Sequence, residues 1–124
     1  MTQAAIVGWG HLPFGRVEED VEQMIVGAAG AALDDAGIGP ADVDAIFLGW
    51  FNAGMTEQDF GASLVMNGFD ALRYKPATRV ENACATGSAV IYQGMDFIGA
   101  GCGRVVLVIC PLHTSDAADE VCVV

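Results

Sequence analysis

Cysteine is the side chain here whose type and setting suggest covalent chemistry, and Cys84 stands apart from the other three. It lies in Thr78 to Val90, T-R-V-E-N-A-C-A-T-G-S-A-V. The stretch reads as the end of a strand through Thr78 and Val80, a turn at Asn82, and a helix of small residues opening at Cys84. Unpaired N–H groups and the positive end of the peptide dipoles at a helix start stabilise an attacking thiolate. Cys84 is therefore the candidate nucleophile. The plainer alternative is a small cysteine packed at a helix start, the commoner fate of a free thiol, and no activating base stands close by in sequence.

The other reactive side chains form weaker patterns. Cys102, Cys110 and Cys122 make no C-x-x-C pair and have no histidine at ligand spacing, so neither a metal site nor a dithiol redox motif is expected. An even cysteine count permits two disulfides. With no secretory leader at Met1 to Gly8, a reduced, cytoplasmic setting is the expectation. His113, Ser115 and Asp116 lie too close together, in a tail without the scaffold that fixes a catalytic triad. His11, in the loop running to Arg16, is expected to pack or face solvent. Gly8-Trp9-Gly10 lacks the third glycine of a dinucleotide fingerprint, with Pro13 in its place.

Composition narrows the function classes. The 124 residues suffice for one domain burying about two-thirds of its unfolded surface. Hydrophobic residues make up 53% and charged residues 17%, which excludes a disordered chain and implies a large interface, with another copy or with a partner chain. A net charge of −11 argues against nucleic acid and against an anionic membrane surface. It also disfavours coenzyme A unless Arg16, Arg73, Lys75, Arg79 or Arg104 gathers locally. No apolar run approaches the roughly 18 residues of a membrane span, and Cys122 is third from the end, where prenylation needs it fourth.

Around Cys84 the elements follow from pattern. Ala4 to Val7 reads as a buried strand with a glycine exit at Gly8. From Val21 to Ala36, apolar residues recur at spacings of three and four, with Asp20 and Gln23 as a capping box and Gly37 as the stop. Gly39 to Asp42 is a turn or a single helical turn, and Ala45 to Phe51 a strand apolar on both faces, which belongs inside a doubly covered sheet. Phe60 to Met66 reads as a short helix, and the connection after it carries Arg73, Lys75 and Arg79, a cluster that could meet a phosphate or simply be solvated. The helix from Cys84 continues through Ile91, Met95 and Ile98; Gly87 and Gly94 within it suggest close approach of another backbone. Val105 to Ile109 is a core strand, which Pro111 is expected to end.

Val80-Glu81-Asn82-Ala83-Cys84-Ala85-Thr86-Gly87-Ser88-Ala89 and the upstream Lys75-Pro76-Ala77-Thr78-Arg79 resemble the nucleophile segment of the thiolase family, in particular its acetyl-CoA acetyltransferase and sterol-carrier-type members. Ile6-Val7-Gly8 with Pro13-Phe14-Gly15-Arg16, Asp42-Val43-Asp44-Ala45-Ile46 and Val105-Val106-Leu107-Val108 follow in the order that family shows. The resemblance implies an α/β domain over residues 1–109: the first part of a thiolase N-terminal half, β-α-β-α-β with a buried nucleophile helix and an incomplete sheet. Residues 110–124 resemble nothing in the family, as a truncated or frame-shifted end would.

By the same resemblance Cys84 would take an acyl group from an acyl-CoA and pass it to a second one, or the reverse, with coenzyme A thioester as substrate and no bound cofactor. Asn82 and Gly87 would shape the turn. The family's activating histidine and second cysteine come from a second half that has no counterpart here, and His113, Cys102, Cys110 and Cys122 inherit no such role. An incomplete enzyme with little turnover is one expectation. A non-catalytic subunit or remnant that pairs with a chain carrying the second half is the other.

Overall fold

In a computed structural model of the chain, the residues described are 3–13, 18–52, 54, 57–111 and 120–123. Strand β1 is Gly8–His11, helix α1 Val21–Ala36, β2 Ala45–Gly49, β3 Ala77–Val80, helix α2 Thr86–Gly99, β4 Val106–Cys110 and β5 Glu120–Val123. They build one sheet in the order β1-β5-β4-β2-β3. The β4-β2-β3 part is parallel, with Ile46 opposite Leu107 and Phe47 opposite Thr78. Strand β5 runs antiparallel to both its neighbours. The expected α/β architecture with a short parallel sheet is therefore present.

Helix α1 forms where its local signals place it. The Asp20 carboxylate accepts the Gln23 N–H at 2.8 Å, and the Gln23 side chain accepts the Asp20 N–H at 3.0 Å, so two N–H groups of the helix start are satisfied. Gly37 closes it in a left-handed conformation at φ 67. Ile25, Ala28, Ala29, Ala32 and Leu33 are buried against the sheet. Asp35, exposed at the helix end, accepts the Trp9 N–H at 3.0 Å and ties α1 to β1.

The first strand lies four residues later than the apolar run suggests. Ile6 and Val7 are exposed, and β1 begins at Gly8. The cause is contact with α1. A Cβ on Gly8 would lie 2.5 Å from the Ala36 Cβ and 2.7 Å from the Ala32 carbonyl oxygen, and one on Gly10 only 2.4 Å from the Ala28 oxygen. These glycines are not an exit from the strand. They let its backbone lie directly on a helix.

The far end also differs from expectation. Strand β4 runs one residue past Ile109 to Cys110, and Pro111 follows beyond the last paired residue, where a missing N–H breaks no ladder bond. The chain then returns as β5, between β4 and β1, with Cys110 opposite Glu120 and Gly8 opposite Val123. Residues 120–123, which were expected to lie outside the α/β domain, thus supply an interior strand. His113, Ser115 and Asp116 lie outside the described residues.

Alternate residues of β2 and β4 face two separate cores. On one side Ile46, Leu48, Leu107 and Ile109 pack under α1 and the 3-10 segment Gly61–Asn67. On the other, Ala45, Phe47, Val106 and Val108 pack under α2 through Val90 and Ile98. Each fully buried aliphatic side chain stabilises the fold by about 1.5–3 kcal/mol. Gly94 lies tight on β4, but against side chains: a Cβ there would sit 2.9 Å from the Val108 Cγ2.

Candidate functional site

Thr86, Val90, Gly94 and Ile98, at intervals of four, form the sheet-facing stripe of α2. Its opposite face is open, with Ser88 exposed, Tyr92 65% exposed and Met95 39% exposed. The resemblance implies a helix between two layers. Among the described residues, the sheet under α2 is one of them.

Cys84 does not lie within α2. It is the middle residue of a single 3-10 turn, Ala83–Ala85, that joins the end of β3 to the helix, and it is exposed. The helix therefore opens two residues after the position expected from sequence. The turn stands beyond the C-terminal ends of the parallel strands, where open α/β sheets place their ligand crevices. Ala83 has φ 44, a left-handed conformation that costs an L-residue roughly 1–2 kcal/mol.

Thr86 holds this turn. Its Oγ1 accepts the Asn82 N–H at 2.8 Å and donates to the Ala83 carbonyl oxygen at 2.7 Å. The Ala83 oxygen also accepts the Thr86 N–H, and the Ala85 N–H donates to the Asn82 oxygen at 2.9 Å. Thr86 is 4% exposed, the one buried polar side chain among the described residues. Its methyl sits over Gly49 at the end of β2, where an added Cβ would meet the Thr86 Cγ2 at 3.0 Å.

The floor of the site is fixed by Trp50 and Arg79. The Trp50 N–H donates to the Val80 oxygen at 2.9 Å, while the Arg79 Nε donates to the Trp50 oxygen at 3.1 Å and its guanidinium pairs with Glu81. The Arg79 guanidinium lies 5.8 Å from the Trp50 ring centre. Trp50 is fully buried, in space that exists because Gly61 has no side chain: a Cβ there would fall 1.9 Å from the indole.

The basic cluster seen in sequence is not gathered at one point. Arg73 pairs with Asp70 at 3.1 Å, Lys75 donates to the Ala41 oxygen at 3.3 Å, and both precede β3, whereas Arg79 lies near its far end. Of the remaining sulfurs, Cys110 lies beside the first turn of α2, its Sγ 3.5 Å from where a Gly87 Cβ would be. Cys102 is exposed past the other end of α2. His11 stacks on Trp9 with ring centres 5.4 Å apart, on the sheet edge opposite β3. Among the described residues no three His, Cys, Asp or Glu side chains gather as metal ligands, and no helix is long and apolar enough to cross a membrane.

A cleft of about 530 Å³ lies at the C-terminal end of α2, lined by Ala4, Val7, Ile98, Gly103 and Arg104 among others. It is a helix length from the cysteine turn, about 21 Å at 1.5 Å per residue. The carbonyl end of a helix repels anions, and the cleft lies away from the cysteine turn.

Comparison with known proteins agrees with this fold. A family model for the N-terminal domain of thiolase matches residues 4–116. The chain is 37% identical over 110 residues to an acetyl-CoA acetyltransferase of Methanocaldococcus jannaschii, a match covering 87% of this chain and 28% of that protein. It is 32% identical over 109 residues to the acetyl-CoA acetyltransferase of Methanothermobacter thermautotrophicus, covering 86% of this chain and 28% of the relative. The Acat5 thiolase from Ascaris suum, solved in complex with coenzyme A, shares the fold at a TM-score of 0.76 and 13% identity, over 94% of this chain and 31% of that one. The chain belongs to the thiolase family, and it spans 28% of the length of the curated relatives it matches.

Sequence reasoning missed Thr86 and the strained Ala83. Alanine gives no sign of a left-handed turn. The Asn82 to Thr86 spacing, a polar side chain four residues past a turn, was the available signal.

Proposed function

We propose that this chain is the nucleophile-bearing part of an acyl-CoA acyltransferase of the acetyl-CoA acetyltransferase type, with Cys84 as the acyl acceptor. The observation that carries the proposal is the exposure of Cys84 in a strained turn beyond the ends of the parallel strands, where an acyl thioester can reach it from solvent.

In the reaction, the Cys84 thiolate attacks the thioester carbonyl, forming a carbon–sulfur bond and a tetrahedral oxyanion. Collapse breaks the bond to coenzyme A, which leaves as a thiolate and takes up a proton, and Cys84 holds the acyl group as a thioester. A carbanion of a second acyl-CoA then attacks that carbonyl, and Cys84 is released. Lost oxyanion donors each cost about 2.7–4 kcal/mol. The chain alone, spanning 28% of its curated relatives, is therefore expected to acylate slowly without turnover. The open face of α2, with Tyr92 and Met95, supports the view that a further thiolase layer completes the site.

The test is incubation of the full chain with acetyl-CoA and peptide mass spectrometry. A hydroxylamine-labile acetyl group is expected on Cys84. Equal acetylation of a Cys84→Ala variant, or of Cys102 in the parent, would reject the assignment.

A further inference from the structure

We propose that Thr86 is a positioning residue for Cys84, its hydroxyl setting how the sulfur is presented to an electrophile. The proposal rests on Cys84 being the reacting group but not on the identity of the acyl donor.

Three observations converge on this side chain. Thr86 is 4% exposed, so its hydroxyl must find its partners within the protein, and it does, on both sides of the turn. One bond takes the N–H of Asn82 and the other reaches the carbonyl of Ala83, so a single oxygen brackets the residue held at φ 44. Cys84 is the next residue along. Loss of that oxygen unties the Asn82 N–H from the first residue of the helix, and Ala83 is free to leave a conformation that glycine alone adopts without cost. Relaxation of φ at residue 83 swings the Cys84 Cα and its sulfur together.

Packing fixes the other end of the same side chain. The Thr86 methyl lies on Gly49, and the Val90 side chain covers the rest of that glycine. Thr86→Val therefore keeps the shape and removes only the hydroxyl, whereas Thr86→Ser keeps the hydroxyl and removes the methyl. A purely structural role would follow shape as well as hydroxyl. A positioning role follows the hydroxyl.

The experiment is alkylation of the full chain with iodoacetamide, reading the rate at Cys84 against that at Cys102 in the same molecule by peptide mass spectrometry. Cys102 is exposed at the far end of α2 and reports any general loosening. Thr86→Val is expected to lower the Cys84 to Cys102 rate ratio about tenfold, the scale of a misplacement somewhat under 1 Å. Thr86→Ser is expected to stay within about twofold of the parent, since its oxygen can make both bonds. A second variant, Thr86→Val with Ala83→Gly, removes the strain and regains stability while its ratio stays low, and it serves if Thr86→Val alone does not fold.

An unchanged ratio in Thr86→Val or in the double variant, or a fall in Thr86→Ser as deep as in Thr86→Val, overturns the proposal. Alkylation needs no acyl-CoA, so the two readings fail separately. A parent that acetyl-CoA never acylates, but whose alkylation depends on Thr86, defeats the acyltransfer reading alone. An acylated parent with Thr86-independent alkylation defeats this one alone.

Discussion

Gly49 sits at the end of β2 directly beneath the first turn of α2, and Gly49→Ala tests whether that contact sets the position of the cysteine turn. An alanine Cβ there would lie 2.9 Å from the Val90 Cγ1, 3.0 Å from the Thr86 Cγ2 and 3.1 Å from the Val90 Cβ. Carbon atoms in contact prefer about 3.5–4.0 Å, so α2 must rise by roughly 0.6–1 Å or the strand must sink. The strand cannot yield easily, because Gly49 is paired with Val80 of β3 and follows the fully buried Leu48. Overpacking of this kind costs about 1–3 kcal/mol, which for a chain of this length lowers Tm by roughly 4–12 °C. The displaced element is the one that carries Thr86. The same substitution is therefore expected to slow iodoacetamide at Cys84 relative to Cys102. Gly27→Ala is the control: it is exposed in the middle of α1, its Cβ would meet only the Leu12 Cδ2 at 3.8 Å, and helix propensity then favours alanine by up to about 1 kcal/mol. Thermal unfolding followed by circular dichroism should move in opposite directions for the two variants. A Gly49→Ala protein that melts with the parent and keeps its Cys84 reactivity would refute the packing argument.

Two further outcomes can be measured with the same methods. The Asp44 carboxylate accepts the backbone N–H groups of Arg104 at 2.7 Å and Val105 at 3.1 Å, and these bonds hold its pKa below the ordinary value, against a smaller opposing effect of burial. Its contribution is thus present above the unfolded carboxylate pKa of about 3.9 and is lost as pH falls through the lower folded value. Asp44→Asn should cost about 1 kcal/mol at pH 7 and less once pH has fallen through the folded value, measured by urea unfolding across pH; a loss that grows on acidification would contradict the assignment. Asp20→Ala removes the N-cap of α1 and should lower stability by about 1 kcal/mol, whereas Asp20→Ser should recover most of it; equal losses would show that the cap is not what Asp20 contributes.

What could be read from sequence was local. The start and stop of α1 are written in Asp20, Gln23 and Gly37, whose effects reach no further than a turn. The doubly covered strands were legible because Ala45 to Gly49 and Val106 to Ile109 are apolar at every position except the final glycine of β2. Glycine misled in the opposite sense. Gly8 and Gly10 look like punctuation, yet each is demanded by helix residues at least 18 positions away in sequence, a contact that no window of neighbours contains. The cysteine segment stood out through its resemblance to a family, but the geometry of its turn did not, since Ala83 has no side-chain signature for φ 44 and the spacing from Asn82 to Thr86 is a faint signal beside it. The basic residues around β3 were grouped by sequence and separated by the fold, each drawn to an oxygen of its own surroundings.

Strand β5 has a consequence for how the molecule is made. It is wedged between the first strand and the fourth, so Gly8 waits for Val123, 115 positions later, before its ladder closes. At roughly 5–20 residues per second of synthesis, β1 and α1 emerge long before their neighbour does. The β4-β2-β3 triplet can zip early, while β1 can only be stored against α1 by the glycine contacts that fit it there. Cutting the chain before Glu120 should leave two bare sheet margins facing one another across a gap one strand wide, an invitation for a foreign strand to fill it.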